Sequence, residues 1–227
     1  MTAAPVRFRD ERLMLDPAGA AFWPARRILI AADIHVAVPA QPFGAPAHDV
    51  RDARDARGAL ERLHRLVRLY RPSKLIMLGH AGAAGPARLQ KDELARLNAL
   101  GREANFLWVG NHTEGLPGTY VDVHREGPFT FRHAPVPRLA PREIEICGAL
   151  RPWASIDSKL RRIARPCFVA DSSRLMLPAF GGAGTGQDVR APAVARLFPR
   201  GLRVFLLGQE QLYSFALEQL GRVAEVA

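Results

Sequence analysis

The chain has 227 residues, 48% of them hydrophobic, enough to bury the core of one α/β domain. Apolar runs such as 28–32 and 205–207 are far shorter than the roughly 20 residues needed to cross a bilayer. The start Met1-Thr2-Ala3-Ala4-Pro5 has no basic lead into an apolar stretch, and Cys147 and Cys167 are too few for a disulfide framework. These features predict a cytoplasmic protein without a membrane partner, forming a single domain over 1–227 with its core in 25–215. A net charge of +10 points to a polyanionic partner, nucleic acid or another phosphate ester. Only Lys74, Lys91 and Lys159 among the basic residues are lysines, so the charge equally fits a compositional bias toward arginine.

In chain order, Arg27 to Ala32 reads as a buried strand that ends in Asp33-Ile34-His35. The Pro-, Ala- and Gly-rich residues 36–48 read as a loop over that strand end. From Val50 to Tyr70, Leu60, Leu63, Leu66, Val67 and Tyr70 recur at helical spacing, and Arg71-Pro72 stops the helix. Lys74 to Leu78 is a second buried strand, ending in Gly79-His80. A helix over about 86–100 then leads to the strand Asn105 to Val109 and to Gly110-Asn111-His112. This β-α-β-α-β series places polar residues after each strand, where parallel α/β sheets hold their ligands. After Thr113 short strand candidates follow one another: Tyr120 to Val123, Phe129 to Arg132, Glu143 to Cys147, Pro166 to Ala170 and Arg174 to Leu177. Leu202 to Leu207 and Leu212 to Phe215 read as a closing pair. They predict a second, largely antiparallel sheet.

Three strand ends thus carry Asp33-x-His35, Gly79-His80 and Gly110-Asn111-His112, and later segments add Phe131-Arg132-His133 and Gly148-Ala149-Leu150-Arg151-Pro152. In order and spacing they resemble the series D-x-H, G-D, G-N-H-[D/E], H, G-H-x-H of the calcineurin-like metallophosphoesterases. The stretches Arg165 to Asp171, Leu177 to Gly181 and Leu197 to Gly201 resemble the ligase-associated DNA damage response endonuclease subfamily. The resemblance covers about residues 25–215. It implies a two-sheet α/β sandwich flanked by helices and metal-dependent hydrolysis of nucleic-acid phosphodiesters. It also implies an association with a DNA ligase or helicase.

Carried over by position, the resemblance implies Asp33, His35, Asn111 and His133 as metal ligands and His112 as the acid beside the scissile phosphate. His80 stands where the bridging Asp belongs, Ala149 and Arg151 replace the two histidines of G-H-x-H, and Thr113 replaces the acid after G-N-H. Two dications need anionic ligands between them, and a guanidinium repels a metal, so a dinuclear site is not expected. Two arrangements follow. In one, Asp33, His35 and His80 hold a single Zn²⁺, Mn²⁺ or Fe²⁺ ion. In the other no metal is bound; Arg151 pairs with Asp33 and, with Arg132 or His133, binds a phosphate group without cutting it. That second case is a pseudoenzyme, a phosphate- or nucleic-acid-binding or scaffold protein.

The competing structural readings are plain: a capping Asp at 33, an Asn-centred turn at 111 and a loop histidine at 80. Gly181 to Gly186 lacks the G-K-[S/T] ending of a phosphate loop. The arginines of 51–68 alternate with acids as on a solvated helix face. Lys159, Arg161, Arg162 and Arg165 form the better candidate for backbone phosphate contacts.

Overall fold

The computed structural model describes residues 2–34, 49–79, 91–110, 115–157, 162–181 and 186–220. Three strands, β1 (Ala4–Phe8), β2 (Glu11–Leu15) and β3 (Ala21–Trp23), precede β4 (Ile28–Ala32). Helix α1 (Asp49–Tyr70), β5 (Lys74–Leu78), α2 (Lys91–Glu103), β6 (Asn105–Val109) and β7 (Thr119–Val121) complete the first half. The seven strands form one sheet in sequence order. The pairs β4–β5, β5–β6 and β6–β7 are parallel, whereas β1 to β4 pair antiparallel. Residues 4–23 therefore extend the sheet on the N-terminal side of the expected core.

The second sheet runs β15 (Leu212–Ala216), β14 (Arg203–Leu207), β12 (Arg162–Ala170), β13 (Arg174–Met176), β10 (Ile144–Cys147), β9 (Phe129–Arg132) and β8 (Val123–Glu126). Strand β11 (Trp153–Asp157) pairs with β12. Most pairs are antiparallel as the sequence predicts, but β10 is parallel to both β9 and β13. The connection 133–143 carries the chain from the far end of β9 back to the near end of its neighbour, which short-range alternation in the sequence does not reveal.

Alternation along the strands sorts residues to faces. Ile28, Ile30, Ile76, Leu78, Leu107 and Val109 meet Phe129, Phe131, Ile144, Ile146, Phe168 and Leu175 in the core between the sheets. Leu29, Ala31, Leu75, Met77, Phe106 and Trp108 face the other way and pack on the helices through Leu60, Leu63, Leu66, Leu97 and Leu100. Central β4 is buried on both faces, which is why it reads as an unbroken apolar run. Among the described residues no helix is long and apolar enough to cross a membrane.

Candidate functional site

Asp33 follows β4 directly. Its N–H donates to the Leu78 carbonyl at 2.8 Å, and it holds a left-handed φ of 45°. Such a conformation is strained for a residue with a β-carbon and concentrates at functional sites. Gly79 and Gly110 continue the ladder past β5 and β6, donating to Val109 and Val121 at 2.8 and 2.9 Å. Across from them, Gly148 and Ala149 both donate to the His133 carbonyl, at 3.1 and 3.0 Å, and the Phe180 N–H donates to the Ala32 carbonyl at 2.7 Å. The ends of both sheets are thereby tied together around one carboxylate.

That carboxylate is fully buried and engaged at both oxygens. Arg151 Nε donates to Asp33 Oδ2 at 2.6 Å, and His133 Nε2 stands 2.9 Å from Oδ1. Arg151 is itself in the left-handed region, at φ 46°. Burial by itself raises the Asp33 pKa, but the hydrogen bonds and charges of His133 and Arg151 outweigh it and hold the carboxyl below its ordinary value. The two glycines are required here. A β-carbon on Gly79, at φ 92°, would collide with Asp33 Oδ1 and His133 Nε2, and one on Gly110, at φ 101°, would lie 2.5 Å from His133 Cβ. A glycine directly after a buried strand was the signal for this in the sequence, although it does not say which side chain fills the space.

The structure brings Asp33, His133 and Arg151 together. Arg132 goes elsewhere: Phe131 points into the core, so the next residue faces the outside of the second sheet. Its guanidinium bonds Glu143 Oε1 at 2.7 Å and Glu145 Oε1 at 3.1 Å. His35, His80, Asn111 and His112 lie outside the described residues, as do the loop 36–48, Lys159, Arg161 and most of the glycine-rich run after Gly181. Arg165 lines an open cavity of about 620 Å³ beside Tyr213. His64 and His124 lie next to Glu103 and Glu126, at 3.9 and 3.0 Å. Cys147 and Cys167 are free and buried in strands.

Asp33, His133 and Arg151 do not suit a divalent ion as they stand. Both Asp33 oxygens accept or face nitrogen, His133 Nε2 is turned to the carboxylate, and a permanent cation lies against it. Among the described residues no group of three or more His, Cys, Asp or Glu side chains is placed to hold a metal. What the trio can do is present a guanidinium, oriented by a buried anion and flanked by an imidazole, to an incoming anion.

No protein-family model matches the chain, and no curated protein matches it significantly. Among solved structures, the chain is similar to one described as the crystal structure of Pseudomonas putida nuclease MPE. The TM-score is 0.70 at 25% sequence identity, over 94% of this chain and 100% of that one. The two-sheet sandwich, with its Asp33-centred strand ends, is thus built on a nuclease-type phosphoesterase fold.

Proposed function

We propose that the protein binds phosphodiesters of nucleic acid at the strand-end site, with Arg151 as the phosphate-facing cation and His133 beside it. The observation that carries this is the Arg151–Asp33 pair: the carboxylate is wholly buried, whereas the Arg151 side chain keeps 22% of its surface exposed. A guanidinium anchored through Nε to a buried anion is held in one orientation, which favours recognition of a planar or tetrahedral oxyanion. The site chemistry agrees with the net charge of +10 and with the likeness to a nuclease.

Calorimetric titration with a phosphorylated dinucleotide tests it. Arg151→Gln is expected to weaken binding by about tenfold or more, the loss of one charged hydrogen-bonding partner being worth roughly 1.5–3 kcal/mol. Arg151→Lys should restore only part of the affinity, because an ammonium cannot reproduce the fork. Unchanged affinity in Arg151→Gln would remove the basis of this function.

The likeness to a nuclease over nearly the whole chain favours a second function, cleavage of the phosphodiester. His35, His80, Asn111 and His112 would then supply the ligands and the acid that Asp33 and His133, already bonded to each other, do not. Hydrolysis of an activated phosphodiester, with and without Mn²⁺ or Zn²⁺, separates the two when compared with His112→Ala. Turnover lost in the variant establishes cleavage; turnover no higher than the variant's with either ion leaves binding alone.

A further inference from the structure

A second concentration of cations lies at the opposite end of the second sheet, where β10 and β13 begin and β12 ends. An open cavity of about 530 Å³ there is bounded by the β1–β2 turn, the connection before β10, the β12–β13 turn and the loop after α3 (Pro192–Ala195). Arg9, Arg138, Arg142 and Arg200 line it from three of these four segments, together with Ser172.

Its walls are rigid for a specific reason. Arg174, almost wholly buried, donates from Nε to Glu145 at 2.6 Å and from Nη2 to the Val136 carbonyl at 2.6 Å. It also donates from Nη1 to the Leu197 carbonyl. One buried guanidinium therefore ties the connection before β10 to the loop after α3. Asp171 Oδ1 accepts the N–H groups of Ser173 and Arg174, both at 2.7 Å, closing the β12–β13 turn, and Arg9 bonds the Arg142 carbonyl.

The charge balance at the rim is one-sided. Glu143 is taken by Arg132 and by the Ala140 N–H, and Asp171 by its own turn. The guanidiniums of Arg138, Arg142 and Arg200 make no hydrogen bond or ion pair among the described residues, and all three residues are exposed. Exposed arginines on separate loops grip a single phosphate poorly, because water screens each contact. A chain of regularly spaced phosphates gains from all of them through counterion release.

We infer that this cavity is a second binding site, for the phosphate backbone of a nucleic-acid strand, remote from the Asp33 site and separated from it by the length of β10. It takes from the proposed function only that the polyanion is nucleic acid.

Fluorescence anisotropy across a salt series with an oligonucleotide long enough to span both ends of the sheet tests it. The variant R138Q/R142Q/R200Q is compared with R65Q/R68Q/R102Q, which changes the net charge equally on the exposed sides of α1 and α2. The cavity variant should lose about 2 units of the log K against log salt slope, three contacts at about 0.7 each for a single strand. Its affinity should fall by about tenfold or more at low salt. The helix variant should lose less than half of that. Equal losses in the two variants mean that only net charge matters and overturn the inference, as does an unchanged cavity variant or a wild-type protein that ignores the strand. The dinucleotide titration with Arg151→Gln reads the Asp33 site alone, so either result can fail while the other stands. Matching melting temperatures of the two variants keep a folding defect out of the comparison.

Discussion

Replacing Arg151 by Ala tests whether the site is part of the fold's own stability. The substitution removes the 2.6 Å hydrogen bond to a carboxylate that has no exposed surface. Breaking a fully buried ion pair from one side costs about 3–5 kcal/mol, and a hydrogen bond to a charged group contributes about 1.5–3. Arg151 keeps 22% of its side-chain surface in water and His133 still faces the carboxylate at 2.9 Å, so the loss falls below that of a fully buried pair and within that of a charged hydrogen bond, about 2–3 kcal/mol. For a chain of this length that is a fall of about 5–10 °C in melting temperature. Urea unfolding followed by fluorescence of buried Trp23 and Trp108 provides the free energy. The double variant with Asp33→Asn should be more stable than the sum of the two single losses implies, by at least about 1 kcal/mol, because it leaves no unpaired charge behind. An Arg151→Ala protein within about 0.5 kcal/mol of wild type, or strictly additive losses, would refute a coupled buried pair.

Three further outcomes follow from the same structure. Asp33 has a folded-state pKa below its ordinary 3.8, so its contribution is fully present above that value and is lost as pH falls through the folded pKa. Urea midpoints should therefore show a shallower acid loss below about pH 4 in Asp33→Asn than in wild type, on top of a lower stability at neutral pH. Gly79→Ala places a methyl against Asp33 Oδ1 and His133 Nε2 at a left-handed φ and should destabilise by about 3 kcal/mol or more, visible as a lower urea midpoint. Glu145→Gln leaves the buried Arg174 guanidinium without its anion and should cost about 3–5 kcal/mol by the same measurement, though Glu145 lies on the face of the second sheet turned away from Asp33 and dinucleotide affinity should not change.

Much of the architecture is legible because its signals are local. Unbroken apolar runs at 28–32, 75–78 and 106–109, the first two separated by a helical repeat ending at Arg71-Pro72, read as buried parallel strands with crossovers. Other elements are hidden. Strands β1 and β2 carry Arg7 and Arg12 on their open face, β3 is only three residues long, and β11, between Pro152 and Asp157, has no clean alternation. The parallel placement of β10 depends on where residues 133–143 cross the sheet, which is a property of the packed layers.

The same division holds at the sites. Asp33 can be singled out from the chain alone, because a polar residue directly after a buried strand has few packing reasons to be there, whereas His133 and Arg151 stand out only by their place in the motif series that the chain resembles. The partnership of the three is not legible there. Residues 33, 133 and 151 meet because β4 and the ends of β9 and β10 belong to two sheets facing each other, and a distance of 2.6 Å between charges exists only once both sheets have closed. Arg132 shows the converse: one position along a strand reverses the face, so it joins Glu143 and Glu145 while its neighbour His133 turns to Asp33. The arginines at 9, 138, 142 and 200 come from three segments far apart in sequence and carry no motif. Net charge alone indicates that a polyanion is plausible; only the packing of four separate segments around the buried Arg174 decides that these cations share one cavity.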